Sequence, residues 1–236
     1  MKIDLHPSDS RGVAEHGWLH SRHSFSFADY YNPDRMEFGM LRVLNDDIVE
    51  AGQGFGIHPH ANMEIVTVVL EGTLEHKDSE GNHGIIPAGD VQKMSAGTGI
   101  RHSEFNASKK DPVHLLQIWV QPNKNNIKPN YDQKSFSADM KKNKLLPIVS
   151  NQKSKDAIHI HQDSVFLLGS LDKDKSVSYK LTDLKHGVYV FVIKGSLSLG
   201  RNKLADGDAA AVSQADEILL TAEKKTDVLV IEVPLK

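Results

Sequence analysis

The chain has 236 residues, of which 39% are hydrophobic, with 28 Lys and Arg against 31 Asp and Glu. At roughly 150 residues per domain, that is one or two globular domains with a sizeable core. A net charge of −3 without a long basic run lacks the positive face that nucleic-acid binding needs. With no cysteine, the chain has no disulfide, thiolate zinc site, iron–sulfur cluster or cysteine nucleophile, so any metal is held by His, Asp or Glu.

In chain order, the opening Met1-Lys2-Ile3-Asp4-Leu5-His6 carries no apolar signal stretch. The longest apolar runs, such as residues 188–193, are strand-length and far short of a bilayer span. A soluble, cytoplasmic, monomeric protein is expected, with no membrane or nucleic-acid ligand. β-Branched and aromatic runs closed by Gly, Pro, Asn or Asp recur at residues 65–70, 113–120, 165–168, 188–193 and 228–233. Runs of that length, punctuated that often, predict an all-β sandwich or barrel. Residues 134–144 are expected as a short helix. Residues 121–130 are polar and proline-punctuated, a connector, and the two sides of it resemble each other. Val68-Val69-Leu70-Glu71-Gly72-Thr73-Leu74 matches Phe191-Val192-Ile193-Lys194-Gly195-Ser196-Leu197, and Ala88-Gly89-Asp90 is echoed by Asp206-Gly207-Asp208. Two copies of one β-barrel unit follow. The expected division is a first barrel over residues 1–121, a connector over 122–156 and a second barrel over 157–236.

Ten of the thirteen histidines precede residue 120. Among them stand His58-Pro59-His60 and His102-Ser103-Glu104. Alternate residues on a strand share a face, so each pair aims two ligands one way. If the two strands are neighbours, three imidazoles and one carboxylate converge, a set that admits Fe(II), Mn(II), Ni(II), Cu(II) or Zn(II). Glycine-rich approaches, Gly52-Gln53-Gly54-Phe55-Gly56 and Ala96-Gly97-Thr98-Gly99, permit the turns that bring strand ends to a pocket. The second is a poor phosphate cradle, because no Lys-Ser/Thr and no helix follow it.

These segments resemble a known family. Gly52 with His58-Pro59-His60, Glu64 and Leu70-Glu71-Gly72 is similar to the first cupin motif; Gly89 with Gly99-Ile100-Arg101-His102 and Asn106 is similar to the second. More narrowly, His23-Ser24-Phe25-Ser26-Phe27-Ala28-Asp29-Tyr30-Tyr31 and the segment from Met94 to Glu104 resemble pirins. Asn45-Asp46-Asp47 and the Gln-Gly-Phe-Gly lead-in point to the bacterial pirin-like quercetin 2,3-dioxygenase branch. The resemblance is dense over residues 12–121 and thin afterwards. It implies an all-β bicupin, two jelly-roll-like β-barrels packed together, with one metal in the first. The family's ligand positions fall on His58, His60, His102 and Glu104. Ser95 replaces the usual proline of the second motif, and Glu64 lies one residue nearer its closing glycine than is common, so Glu64 is read as supporting the site or the fold. Aligning Gly195 on Gly72 puts Leu181 and Asp183 where His58 and His60 stand.

Other residues are weighed alongside. Trp18, His20, His23, Phe25 and Phe27 are either a wall for a planar substrate or, the preferred reading, packing between the N-terminal segment and a barrel. His76 and His83 flank a hairpin turn and are expected as exposed turn histidines. His159 and His161 form a further H-x-H without a partner pair. Glu75, Asp78 and Glu80 are expected as a solvated acidic face, and Lys141-Lys142-Asn143-Lys144 as surface charge.

The resemblance implies a dioxygenase that opens the heterocyclic ring of a flavonol such as quercetin with O2, releasing CO, using one divalent transition metal. Fe(II) is the foremost candidate, with Zn, Mn, Ni, Cu and Co admissible, and Glu104 is the candidate proton acceptor. The alternative is an iron-binding, redox-sensing regulator of a protein partner. Another cupin chemistry, such as sugar isomerisation, is the third.

Overall fold

The β-branched runs form strands. In the computed structural model, which describes residues 1–152 and 156–236, they lie within Glu64–Glu71, Val113–Val120, Val165–Leu171, His186–Lys194 and Thr226–Pro234. Of the expected connector over 122–156, residues 153–155 lie outside the described residues. The architecture is the all-β, two-barrel one expected. Each barrel closes a seven-stranded sheet against a four-stranded sheet. Among the described residues no helix is long and apolar enough to cross a membrane.

In the first barrel the large sheet runs in the order Asn130–Ser135, Asp90–Ser95, Glu64–Glu71, Val113–Val120, Leu41–Val49, Leu19–His23, Gly12–Glu15. The small sheet runs Gly54–His60, Ile100–Asn106, Thr73–Asp78, His83–Pro87. In the second barrel the central strands His186–Lys194, Thr226–Pro234 and Val165–Leu171 take the places of Glu64–Glu71, Val113–Val120 and Leu41–Val49. The outer faces of the two large sheets meet in one core that includes Leu44, Val66, Leu116 and Ile118 from the first barrel and Phe166, Tyr189, Leu229 and Ile231 from the second. Burial there contributes on the order of 1.5–3 kcal/mol for each large apolar side chain. Phe25 belongs to this core at 1% exposure, as the packing reading expected.

The repeat seen in the sequence is a repeat in space. Gly72 and Gly195 both take positive φ, +78° and +103°, at the same strand-to-strand turn. At each a Cβ would stand under 3 Å from a carbonyl oxygen, that of Pro112 or of Lys225. Only glycine fits such a turn.

The two barrel interiors differ. Inside the first, His23, Asn45, Gln117, Thr67 and Gln92 are register partners across five strands of the large sheet, all of them buried. The corresponding row of the second barrel reads Leu167, Val230, Val190, Ala210, within an apolar cluster that also holds Leu181. The first interior carries a polar band beside an apolar cluster of Leu19, Val49, Val69, Leu74 and Leu115, whereas the same band in the second is hydrocarbon.

Two expectations are corrected here. Residues 134–144 do not form a helix as a unit: the strand Asn130–Ser135 ends inside that stretch, and only Ala138–Lys141 turns, as a short 3-10 helix. Asn130–Ser135 pairs with Asp90–Ser95 and extends the first sheet, which holds its backbone extended. The first strand, Lys2–His6, crosses over and pairs with Ala209–Ser213 of the second barrel.

Candidate metal centre

The strands Gly54–His60 and Ile100–Asn106 are antiparallel neighbours, with His102 opposite His58 and Ile100 opposite His60. On Ile100–Asn106 the alternate residues Ile100, His102, Glu104 and Asn106 face inward and are buried, while Arg101 and Phe105 face out. Beyond His102 the register slips: Glu104 lies opposite Phe55, so Gly54–His60 carries one extra residue. Such a bulge bends a strand and re-aims its side chains. The Gly56 carbonyl within it accepts the Nδ1–H of His58 at 2.8 Å, which leaves His58 Nε2 with a free lone pair.

His58, His60 and His102 each bring one ring nitrogen within 4.8 Å of the others, and His102 and Glu104 do the same with a residue from a third strand, His76. The three predicted imidazoles form one triad, and the fourth predicted ligand, Glu104, joins it only through His102, in a second triad with His76. His58 and His60 are half-buried on the open side of the cluster, while His102 and Glu104 lie at 1% and 3% exposure. A shallow surface pocket lined by Pro59, His60, Ser79, Gly99 and Arg101 reaches it there. Burial, then the neighbouring His58 and His76, pushes the His102 pKa down to about 3; burial, then His102 and His58, pushes His60 to about 4. Both are held as neutral imidazoles, the form that binds metal.

Glu104 is gripped from the opposite sheet. Gln117 donates its Nε2–H to Oε2 at 2.9 Å. The Thr67 hydroxyl lies 3.1 Å from Gln117 Oε1 and 3.4 Å from Glu104 Oε1. Trp119 stands edge-on to His60 at 4.8 Å between ring centres, with Phe27 behind it at 5.3 Å.

His102 Nε2 is buried with no hydrogen-bond partner, an arrangement that is costly unless something else takes the lone pair. Three neutral imidazoles and a carboxylate suit a first-row divalent ion. The residues fit.

The remaining histidines and acids divide differently from the expectation. His83 is exposed, but His76 is fully buried and packs between His102 and Tyr131, at 5.2 and 5.0 Å between ring centres. The reason is parity: Leu74, His76 and Asp78 alternate inward along Thr73–Asp78, and His76 lies opposite Glu104. Asp78 is likewise no part of a solvated face, since its carboxylate is covered and accepts the Nε2–H of His76 at 3.2 Å. Glu75 faces outward with Lys77 and His83. Trp18 packs on Phe55, and exposed His20 pairs with Glu15. Glu64, at 1% exposure, accepts the Ser95 hydroxyl at 3.0 Å and the His161 backbone N–H at 3.2 Å. It ties the first barrel to the segment that carries His159 and His161, whose rings lie 4.9 Å apart.

Over 98% of its length the chain is 44% identical to quercetin 2,3-dioxygenase of Escherichia coli strain K12, covering 99% of that protein, and residues 6–120 match the family model Pirin. The chain belongs to the pirin family. Residues 147–233 of this pirin match the quercetinase C-terminal cupin domain, so both barrels are cupin domains. A pirin-like protein of Caulobacter vibrioides is 36% identical over 98% of this chain and 99% of its own. Among solved structures, the bacterial pirin YhhW from Escherichia coli in complex with nickel(II) superposes with a TM-score of 0.94 at 42% identity, covering 100% of both chains.

Proposed function

We propose that this pirin is a metal-dependent dioxygenase that opens the heterocyclic ring of a flavonol such as quercetin with O2 and releases CO. The observation that carries the reading is the convergence of the His58, His60 and His102 nitrogens beside Glu104, with the buried His102 Nε2 unpaired. These four residues are the proposed ligands of one divalent transition metal, Fe(II) first, with the nickel(II) complex of YhhW favouring Ni(II) next. Such an ion supplies Lewis acidity and, as Fe(II), redox reach toward dioxygen.

The chain's own groups handle position and proton. Trp119, half-buried beside His60, offers a flat apolar wall to a planar substrate. Glu104 accepts the proton of the substrate hydroxyl. Gln117 holds Oε2, and the single hydrogen of the Thr67 hydroxyl serves the nearer oxygen, that of Gln117. At 3.4 Å from Glu104 Oε1 the same hydroxyl is the weaker, alternative donor that steadies the carboxylate. The first barrel, built from strands between residues 12 and 135, carries the chemistry; the second, built from Lys2–His6 and strands between 145 and 234, backs its large sheet.

The test is anaerobic reconstitution with Fe(II), a metal assay, then quercetin in air, following flavonol absorbance together with CO. Turnover with CO, lost in His58→Ala along with the metal, is expected. Full metal loading without turnover would refute the dioxygenase reading and favour regulation of a protein partner. Unchanged metal content in His58→Ala would refute the ligand assignment.

A further inference from the structure

The hairpin behind the site contains a chain of hydrogen bonds that ends on His102. It starts at a turn. Asp78 Oδ1 accepts the backbone N–H groups of Glu80 and Asn82 at 3.0 and 2.9 Å, and Oδ2 accepts the Asn82 side-chain amide at 2.9 Å. Four donors, His76 included, thus fix one carboxylate, and charge-assisted bonds of this kind are short-range and directional. A carboxylate only accepts, so His76 must donate from Nε2 at 3.2 Å. In the neutral ring that leaves His76 Nδ1 as an acceptor. It faces His102 Nδ1 at 3.4 Å, so His102 must carry its own hydrogen on Nδ1 and present a bare lone pair at Nε2. Nε2 is the buried, unpaired atom. Tyr131, tilted at 37° to His76 with ring centres 5.0 Å apart, packs against the far side of that ring.

We propose that Asp78 and His76 are positioning residues: a carboxylate–imidazole–imidazole relay that sets the tautomer and ring angle of His102 and so tunes the metal affinity of the site. The inference rests on the reading of His102 as a metal ligand. Partners that orient a ligating histidine are typically worth 10–100-fold in metal affinity. The arrangement also contains a competitor to the relay, because His76, His102 and Glu104 are themselves close enough to share an ion. In that case His76 would be a ligand.

Co(II) distinguishes the two, since its visible bands report coordination while a titration reports affinity. Wild type, Asp78→Asn, His76→Phe and His76→Gln would be compared, with circular dichroism of the metal-free proteins to show that each is folded. The relay predicts that Asp78→Asn and His76→Phe bind Co(II) 10–100-fold more weakly with the wild-type band pattern retained. His76→Gln, which keeps an acceptor for His102 Nδ1–H, recovers part of the loss. Unchanged affinity in Asp78→Asn and His76→Phe would overturn the relay, as would a changed band pattern in His76→Phe, which would make His76 a ligand. No Co(II) uptake by the wild type would overturn the metal reading itself and the relay with it.

Discussion

Acidification tests the seam between the barrels at one side chain. His6 lies at 3% exposure against Phe25 and Tyr189, with Nδ1 2.9 Å from the Tyr189 hydroxyl. Burial, with the Arg35 charge adding to it, lowers its pKa from 6.5 to about 4. The unfolded chain takes up this proton near pH 6.5, and the folded protein does so only near pH 4. Between those values the unfolded state binds more protons, so stability is full above pH 6.5 and falls as pH drops through the window. The slope approaches about 1.4 kcal/mol per pH unit, or roughly 3 kcal/mol across the whole window. His23, lowered to about 4 by burial, Arg11 and His16, adds a loss of the same sign. The assay is urea unfolding of metal-free wild type and His6→Gln between pH 7.5 and 4.5, read by far-ultraviolet circular dichroism. The variant should start less stable at pH 7.5 and lose about 1.4 kcal/mol less per pH unit below pH 6. Parallel stability curves for the two proteins would refute the argument, since they would mean that His6 titrates alike in folded and unfolded chains.

Other outcomes follow from the same structure. Lys93, at 1% exposure, donates to Ser95 and Asn130 at 3.0 and 2.9 Å, and Ser95 passes a hydrogen bond on to Glu64. Lys93→Met should cost about 3 kcal/mol at pH 8 by stranding the Glu64 charge, and less toward pH 5, because burial raises the Glu64 pKa and a proton then neutralises it. Adding Glu64→Gln should restore most of the loss, and additive costs in a double-mutant cycle would contradict the coupling. Gly17 and Gly195 both have positive φ, but a Cβ meets nothing within 4 Å at Gly17 and the Lys225 carbonyl at 2.3 Å at Gly195. Gly17→Ala should cost about 1 kcal/mol and Gly195→Ala about 2 kcal/mol more, by denaturant midpoint at constant slope. Removing metal with a chelator should lower the melting temperature by the equivalent of ~2.7 kcal/mol relative to protein held at 100 times the dissociation constant. An unchanged melting curve would mean that the folded cluster binds no ion.

The parts of this fold legible in the sequence are those governed by local pattern. Residues 113–120 read as a strand and are one, because alternation and β-branching act within a few residues. That His58 pairs with His60, and His102 with Glu104, on one strand face is legible from alternation alone, and the neighbouring strands set the two pairs side by side. His76 and Asp78 were misread for a correctable reason. Their proximity to a turn suggested solvent, but their parity with Leu74 already placed them on the inner face. Gln117 and Thr67 sit in runs so apolar that a polar residue looks incidental, and only the pairing of Glu64–Glu71 with Val113–Val120 sets them side by side beneath Glu104. Asn130–Ser135 has no apolar alternation to announce it; its extended form comes from the neighbouring strand. Long-range register, not propensity, decides such segments.

The crossing of Lys2–His6 into the second barrel also bears on the order in which the protein is made. Residues 2–6 leave the ribosome about 200 residues ahead of their partners at 209–213. Closing so long a loop costs little extra free energy, since each doubling adds only about 0.6 kcal/mol, so the wait matters as time. Until residues 209–213 are made Lys2–His6 lacks its partner strand, and afterwards Ala209–Ser213 offers an open edge until it arrives. On crowded ribosomes that interval is when one nascent chain can lend its first strand to another, and strand-swapped dimers are the expected by-product of fast expression.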